Sequence, residues 1–403
     1  MTPSRFIRRA TTSAFIGAIV VMAAAPLPAG AAAALPAQAI ASAARAVAPA
    51  SRGAARSWRV AQRLSVRHRD VLMVGIDALS ARDAWVLGEV TSDDSLSPLV
   101  EHWTGRGWCP VALPPAVRRR FGQADEFDSL SVSSDRDLWA VTANGHYLRL
   151  LGTRWTAGVL PGTRSVLVES VKAFGPSDVW IFGARIFGAA GPHPKAVPYA
   201  ARFDGRTWRR VPVSATGDIG VVSAISRSDM IAVTGLVATG LGEPVRPEVL
   251  RWDGRSWRPL ASQPPLPRRA VMYAAYARSD RDVWIGGSVP DGPKRSAAVV
   301  EQWNGSAWVR ATPTGAPSGQ GFIVSLASDG RGGLWALGAS FANGGRQVWQ
   351  NTAGSWSAPT SLTRLGPTQL GSVPHTTATW AIGEVKVHGR YIGLIDAHGL
   401  LTR

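Results

Sequence analysis

The sequence predicts an all-β protein, a seven-bladed β-propeller of four-stranded antiparallel blades closed by an N-terminal strand. Three observations predict it. All 17 tryptophans fall on one repeating frame. The first anchor of that frame stands at positions 85, 139, 180, 231, 284, 335 and 380, a recurrence of about 49 residues, close to the period of propeller blades. Finally, a copy of the outermost strand stands orphaned at the N-terminus. A single four-stranded blade cannot bury both its faces, whereas a ring of blades buries them and leaves only short, protected edges.

The first element of the repeat reads apolar strand, polar turn, then Asp-x-Trp. It occurs as Ser80-Ala81-Arg82-Asp83-Ala84-Trp85, Asp135-Arg136-Asp137-Leu138-Trp139, Ser177-Asp178-Val179-Trp180 and Asp280-Arg281-Asp282-Val283-Trp284, with looser copies at Ser228–Ile231, Gly333–Trp335 and Ala378–Trp380. The Asp is expected to accept backbone N–H groups in the turn between strands a and b. The second element reads aromatic-x-Gly-x-x-Trp, as in Trp103–Trp108, Phe203–Trp208, Trp252–Trp257 and Trp303–Trp308. Its Asp-Gly and Asn-Gly pairs predict tight hairpins between strands c and d, because such turns need positive φ. The indole rings, each burying ~150–250 Å², are expected to fill the wedges between blades.

Arg56-Ser57-Trp58-Arg59 copies Arg255-Ser256-Trp257-Arg258, yet no first element precedes it. This predicts that the N-terminal strand completes the last blade, whose own sequence runs out after strand c near Tyr391–Asp396. A competing reading lets Leu400–Arg403 supply that strand instead.

Ahead of the repeats, residues 1–34 read as a secretory signal: Arg5, Arg8 and Arg9, an apolar run Ala14–Ala25 too short to span a bilayer, and small-residue cleavage patterns at Ala29–Ala31 and Ala37–Ala39. Residues 35–55 are Ala/Pro-rich and expected to be disordered; the propeller occupies 56–403. The expectation is a secreted, extracellular monomer. Its one cysteine, Cys109, permits no internal disulfide and reads as a partly buried thiol.

The net charge of +17 admits an anionic partner such as a wall polymer or acidic glycan, but only four of the 44 basic residues are Lys, which points to a bias toward Arg throughout. Nucleic acid is not expected, since no recognition module is present. The d–a and b–c connections share one face and vary in length, whereas the a–b and c–d turns are short and uniform, so the variable face is the expected working surface. It carries Arg118, Arg119, Arg120, Arg185, Lys195, Arg246, Arg268, Arg269, Lys294 and Arg295 as candidate binding residues. The innermost strands offer channel-mouth candidates Asp77, Glu169, Lys172 and Tyr273, with Asp128, Ser223, Ser325 and Ser372 as further polar positions. No spacing reads as a metal site, no nucleophile elbow occurs, and no cofactor is expected. His102 fills a slot that Arg202, Arg251 and Gln302 fill elsewhere, and reads as a surface position of strand c.

The paired motifs Ser-x-x-Asp-x-Trp and Trp-Asp-Gly-x-x-Trp, over about residues 55–403, resemble exported bacterial propellers of high-GC Gram-positive organisms, grouped loosely with kelch and galactose-oxidase central domains. The resemblance implies the fold and little about function. Only Gly286-Gly287 matches the kelch Gly-Gly pair, and the single Cys and scattered His residues do not match a copper-radical oxidase. The sequence therefore reads as a non-catalytic extracellular scaffold that recognises a glycan, wall polymer or protein through its variable face. The alternative is a secreted lyase or glycan hydrolase using polar groups at the channel mouth.

Overall fold

The computed structural model describes residues 58–91, 95–188, 195–235, 245–292, 295–340, 345–362 and 366–399. The signal and Ala/Pro-rich segments, Lys294 and the segment 400–403 lie outside the described residues.

Seven antiparallel sheets form the ring, each ordered a to d from the axis outward. Blade one comprises Asp70–Ser80, Asp83–Thr91, Leu96–Trp103 and Trp108–Pro110. Blade two comprises Phe127–Ser134, Asp137–Thr142, His146–Leu151 and Arg154–Val159. Blades three and four run through Val166–Gly175, Asp178–Phe187, Lys195–Phe203, Trp208–Arg210 and through Ile219–Ser226, Asp229–Thr234, Val249–Trp252, Trp257–Pro259. Blade five is built from Val271–Ser279, Asp282–Pro290, Ser296–Trp303 and Trp308–Arg310. Blade six has Gly321–Ser328, Leu334–Ser340, Arg346–Thr352 and a split outer strand, Ser355–Trp356 and Thr360–Ser361, both halves pairing with strand c. Each strand a packs against the strand a of the next blade all the way round.

Closure follows the N-terminal reading. Blade seven contains Gly366–Ser372, Thr379–Val387 and Arg390–His398, and its fourth strand is Arg59–Leu64, paired from Arg59↔Ala397 to Leu64↔Gly393. Trp58 lies edge-on to Trp335 at 5.6 Å between ring centroids. That contact repeats at every blade interface, where the strand-b residue meets the strand-d Trp of the following blade. The pairs are Trp85–Trp155, Trp139–Trp208, Trp180–Trp257, Trp284–Trp356, Trp335–Trp58 and Trp380–Trp108. At the remaining interface Ile231 takes the place of the strand-b Trp in the cluster that holds Trp308. The tryptophans are thus the wedge that seals one blade to the next.

Two local expectations need correction. The strand-b Asp residues mostly do not cap the a–b turn. A serine at the end of strand a does so, with Ser80, Ser134, Ser226, Ser279 and Ser328 hydroxyls accepting turn N–H groups at 3.0–3.2 Å. The Asp instead reaches across to strand c: Asp178 takes a bidentate pair from Arg202, Asp229 one from Arg251, and Asp282 binds Gln302. In blade six Asp329, which lies in the a–b turn itself, accepts turn N–H groups from Arg331 and Gly333. His102 is accordingly not a plain surface residue, since it stacks on Trp85 at 4.0 Å and hydrogen-bonds Asp83 at 2.9 Å. Second, Cys109 is exposed, because strand d is the outermost strand and has no neighbour beyond it.

The c–d hairpins match expectation. Gly205, Gly254 and Gly305 have φ of 92°, 87° and 91°, and the preceding Asp204, Asp253 and Asn304 each accept two backbone N–H groups. Those bonds favour the ionised carboxylate, so Asp204 and Asp253 are held below the usual carboxylate range.

Candidate functional site

The channel is lined by seven strands a, each the free edge of its sheet. Edge N–H groups buried between blades need acceptors. The preceding blade supplies them in three tiers. In the tier nearest the variable face, the Glu89 carboxylate accepts from Phe127 N–H and Glu384 from Met73 N–H, the latter at 2.6 Å. In the middle tier, Ser129, Ser325 and Gln369 accept from Val171, Leu370 and Ile76. In the deepest, Asp77, Ser131 and Ser223 accept from Val132, Ala173 and Ala277 at 2.9–3.0 Å. Asp77, Ser223 and Ser325, which the sequence marks as channel candidates, are therefore occupied in joining blades. Lys172 stands at the Asp77 position of blade three, opposite its strand-b Trp, as Asp77 does in blade one. Burial pushes Lys172 down and Asp77 up, and their mutual attraction opposes both shifts.

Between the first two tiers every strand a carries a β-bulge. The register skips one residue in each blade: Val74, Asp128, Glu169, Gly220, Tyr273, Val324 and Thr368. A bulge re-aims a side chain and releases it from the ladder. Glu169 and Tyr273, both candidates from sequence, thus occupy one equivalent position.

Around this ring the carboxyls of Asp218, Glu169, Asp128, Glu126, Glu89 and Glu384 form an arc through blades four, three, two, one and seven, each within electrostatic reach of the next. Arg346, on strand c of blade six, ends the arc beside Glu384. Burial raises Glu89, Asp128, Glu169, Asp218 and Glu384 above the ordinary carboxylate range, Glu384 to about 7. Like-charge repulsion adds to the shift at Glu89, Asp128 and Glu169. Glu169 is 7% exposed and Asp218 1%, and the two carboxyls face each other. Among the described residues no backbone N–H, hydroxyl or cationic group donates to either Glu169 oxygen, and Asp128 Oδ2 is likewise buried without a donor. The opposite side of the mouth is apolar: Tyr273 packs on Phe322 at 5.6 Å, with Val324 alongside. Burial pushes the Tyr273 hydroxyl up to about 12.

The basic candidates do not converge. Arg118, Arg119 and Arg120 end a short helix, Pro115–Arg118, that packs against the outermost strand of blade two, so they lie at the rim. Lys195, Arg246, Arg268, Arg269 and Arg295 are exposed. Arg185 lies on strand b of blade three, opposite Val166 and Val197, where the sequence placed a loop. It is half-buried, and its charge offsets the burial that raises the Tyr199 hydroxyl. Asp218, Glu126, Glu89, Glu384 and Arg346 are the members of the mouth that sequence reasoning missed. The pattern Trp-x-x-Gly-Glu, shared by Trp85–Glu89 and Trp380–Glu384, was the signal for two of them. Among the described residues no three His, Cys, Asp or Glu side chains come together as a metal-holding group, and no helix is long and apolar enough to cross a membrane.

No family model and no curated protein sequence matches the chain. Solved propellers do. YCF48 from Cyanidioschyzon merolae superposes with a TM-score of 0.53 at 15% identity, covering 85% of this chain and 98% of that one. YCF48 bound to D1 peptide gives 0.52 at 14% identity, over 84% and 94%. The WD40 propeller domain of Doa1 gives 0.51 at 8% identity, over 84% and 96%. These likenesses establish the propeller architecture.

Proposed function

We propose that this protein is a non-catalytic binding scaffold that takes its ligand on the d–a and b–c face, centred on the mouth of the channel. The observation that carries the reading is the contrast between tiers. Deeper polar groups are consumed in joining blades, whereas Glu169 and Asp128 at the mouth keep buried oxygens that have no donor among the described residues. A fold gains nothing from desolvating such groups, so their use lies in recognition. YCF48 has been solved bound to D1 peptide, so a propeller of this shape can hold a peptide. Among glycan, wall polymer and protein, the acidic mouth favours a protein partner. Export through residues 1–34 belongs to the proposal. Fractionating cells that express the full chain, or the chain lacking those residues, tests it: export should require the segment.

Binding to arrays of glycans, wall polymers and peptides tests the scaffold reading. Retention should weaken when Arg118, Arg119 and Arg120, or Glu169, are replaced, and should be indifferent to Arg206→Ser and Arg255→Ser on the opposite face. The reverse sensitivity would refute the choice of face. One observation favours the alternative, hydrolysis or lysis of a glycan: Glu169 and Asp218 are adjacent carboxyls both raised by burial, the condition for holding a proton at neutral pH. In that case Glu169→Gln abolishes turnover while leaving substrate binding intact.

A further inference from the structure

We propose that the channel mouth is a socket for a cationic side chain, lysine or arginine, presented by a protein segment with an apolar residue next to it. This deepens the scaffold reading and rests on it. Six carboxyls line one arc of the mouth, and among the described residues Arg346 alone stands with them as a counter-charge, with Lys172 deeper, beside Asp77. The cluster alone would be unremarkable as a set of acidic side chains. What distinguishes it is Glu169, more than nine-tenths buried, on a bulge that re-aims its side chain. Its carboxyl faces another carboxyl, Asp218, and among the described residues no N–H, hydroxyl or cation donates to either of its oxygens.

A buried acid without such donors is costly to ionise and tends to keep its proton, and an arriving ammonium or guanidinium stabilises the carboxylate with several charge-assisted donors at once. The bulge positions explain why the need is local. The same register skip places Gly220 and Val324 in blades four and six, where nothing needs pairing, and Glu169 and Asp128 in blades three and two. The apolar side of the mouth, Tyr273 against Phe322 with Val324, then receives the neighbouring residue of the segment. A metal ion is not the implied occupant, since among the described residues no three His, Cys, Asp or Glu side chains are grouped so that they could hold one. Nor is a polyanion, because the arc presents carboxyls, while the exposed arginines Arg118, Arg119 and Arg120 stand at the rim and Arg206 and Arg255 on the opposite face.

The test is fluorescence anisotropy with a labelled (Lys-Leu)3 peptide, its lysine-acetylated form, a (Lys-Ser)3 peptide, and spermidine as competitor. The expected result is saturable binding of (Lys-Leu)3 that the acetylated form lacks, several-fold weaker binding of (Lys-Ser)3, and poor competition by spermidine. The double variant Glu169→Gln/Asp218→Asn should lose at least tenfold in affinity. Asp128→Asn, at a less buried position, should lose affinity in the same direction and guards against a folding defect in the double variant. Unchanged affinity in both variants, equal binding of the acetylated peptide, or spermidine displacing (Lys-Leu)3 on equal terms would overturn the socket. If these variants bind normally while the arginine variants at the rim do not, the socket falls and the scaffold reading stands.

Discussion

At the scale of the residue, tryptophan and glutamate do opposite work. Each Trp of strand d fills the wedge left by the strand-b residue of the preceding blade, and Trp58 does so for the strand that closes the ring. Trp58 is partly buried, so Trp58→Ala should cost ~2–4 kcal/mol in chemical denaturation, somewhat less than a fully buried aromatic. A loss near zero would mean that the N-terminal strand adds nothing to blade seven. The capping side chains are smaller in reach but equally specific. Ser325→Ala strands the Leu370 N–H between blades six and seven and should cost ~1–3 kcal/mol, whereas an exposed serine such as Ser306 should tolerate the change. A denaturation series on the two variants separates the cases.

At the scale of the element, what the sequence discloses and what it hides have one physical cause. Strand, turn and blade are legible because the Trp frame and the Asp-Gly hairpins recur with fixed spacing, and each demands a particular backbone: Gly254 at φ 87° is required by its turn. Gly254→Ala should cost ~1–2 kcal/mol for that reason, read from the same denaturation series. The mouth is only half legible. Glu169, Tyr273, Asp77 and Lys172 stand out as polar residues on apolar strands, but the bulge inserts one residue into every strand a and changes the parity of all that precedes it. Alternation alone therefore misassigns which side chains point into the channel and which reach the next blade. Asp218 is hidden differently. It precedes strand a in a Thr-Gly-Asp stretch that reads as a turn, although in the structure it is 1% exposed. Charge is hidden as well, because a tally of arginines does not reveal that Arg202 and Arg251 are engaged by strand-b aspartates.

At the scale of the whole molecule, the ring joins a frame that needs its buried rings to a mouth that holds buried acids. Those acids make stability depend on pH. Burial raises Glu89, Asp128, Glu169, Asp218 and Glu384, while in the unfolded chain they ionise near ~4. Between those limits the folded protein binds more protons than the unfolded chain, so stability is greatest at the acid end and falls as pH rises. Asp204 and Asp253, shifted the other way, titrate below this window. Calorimetry should give a higher unfolding midpoint at about pH 5.5 than at about pH 8, with the difference reduced in Glu384→Gln. A midpoint that rises toward alkaline pH would contradict the assignment of raised acids. The central claim is that ligand is taken at the mouth on the variable-loop face, and hydrogen–deuterium exchange with and without the (Lys-Leu)3 peptide tests it most directly. Protection is expected at the starts of the inner strands, around residues 126–130, 166–170 and 217–221. Protection confined to the c–d hairpins around 104–107, 204–207 and 253–256 would contradict it.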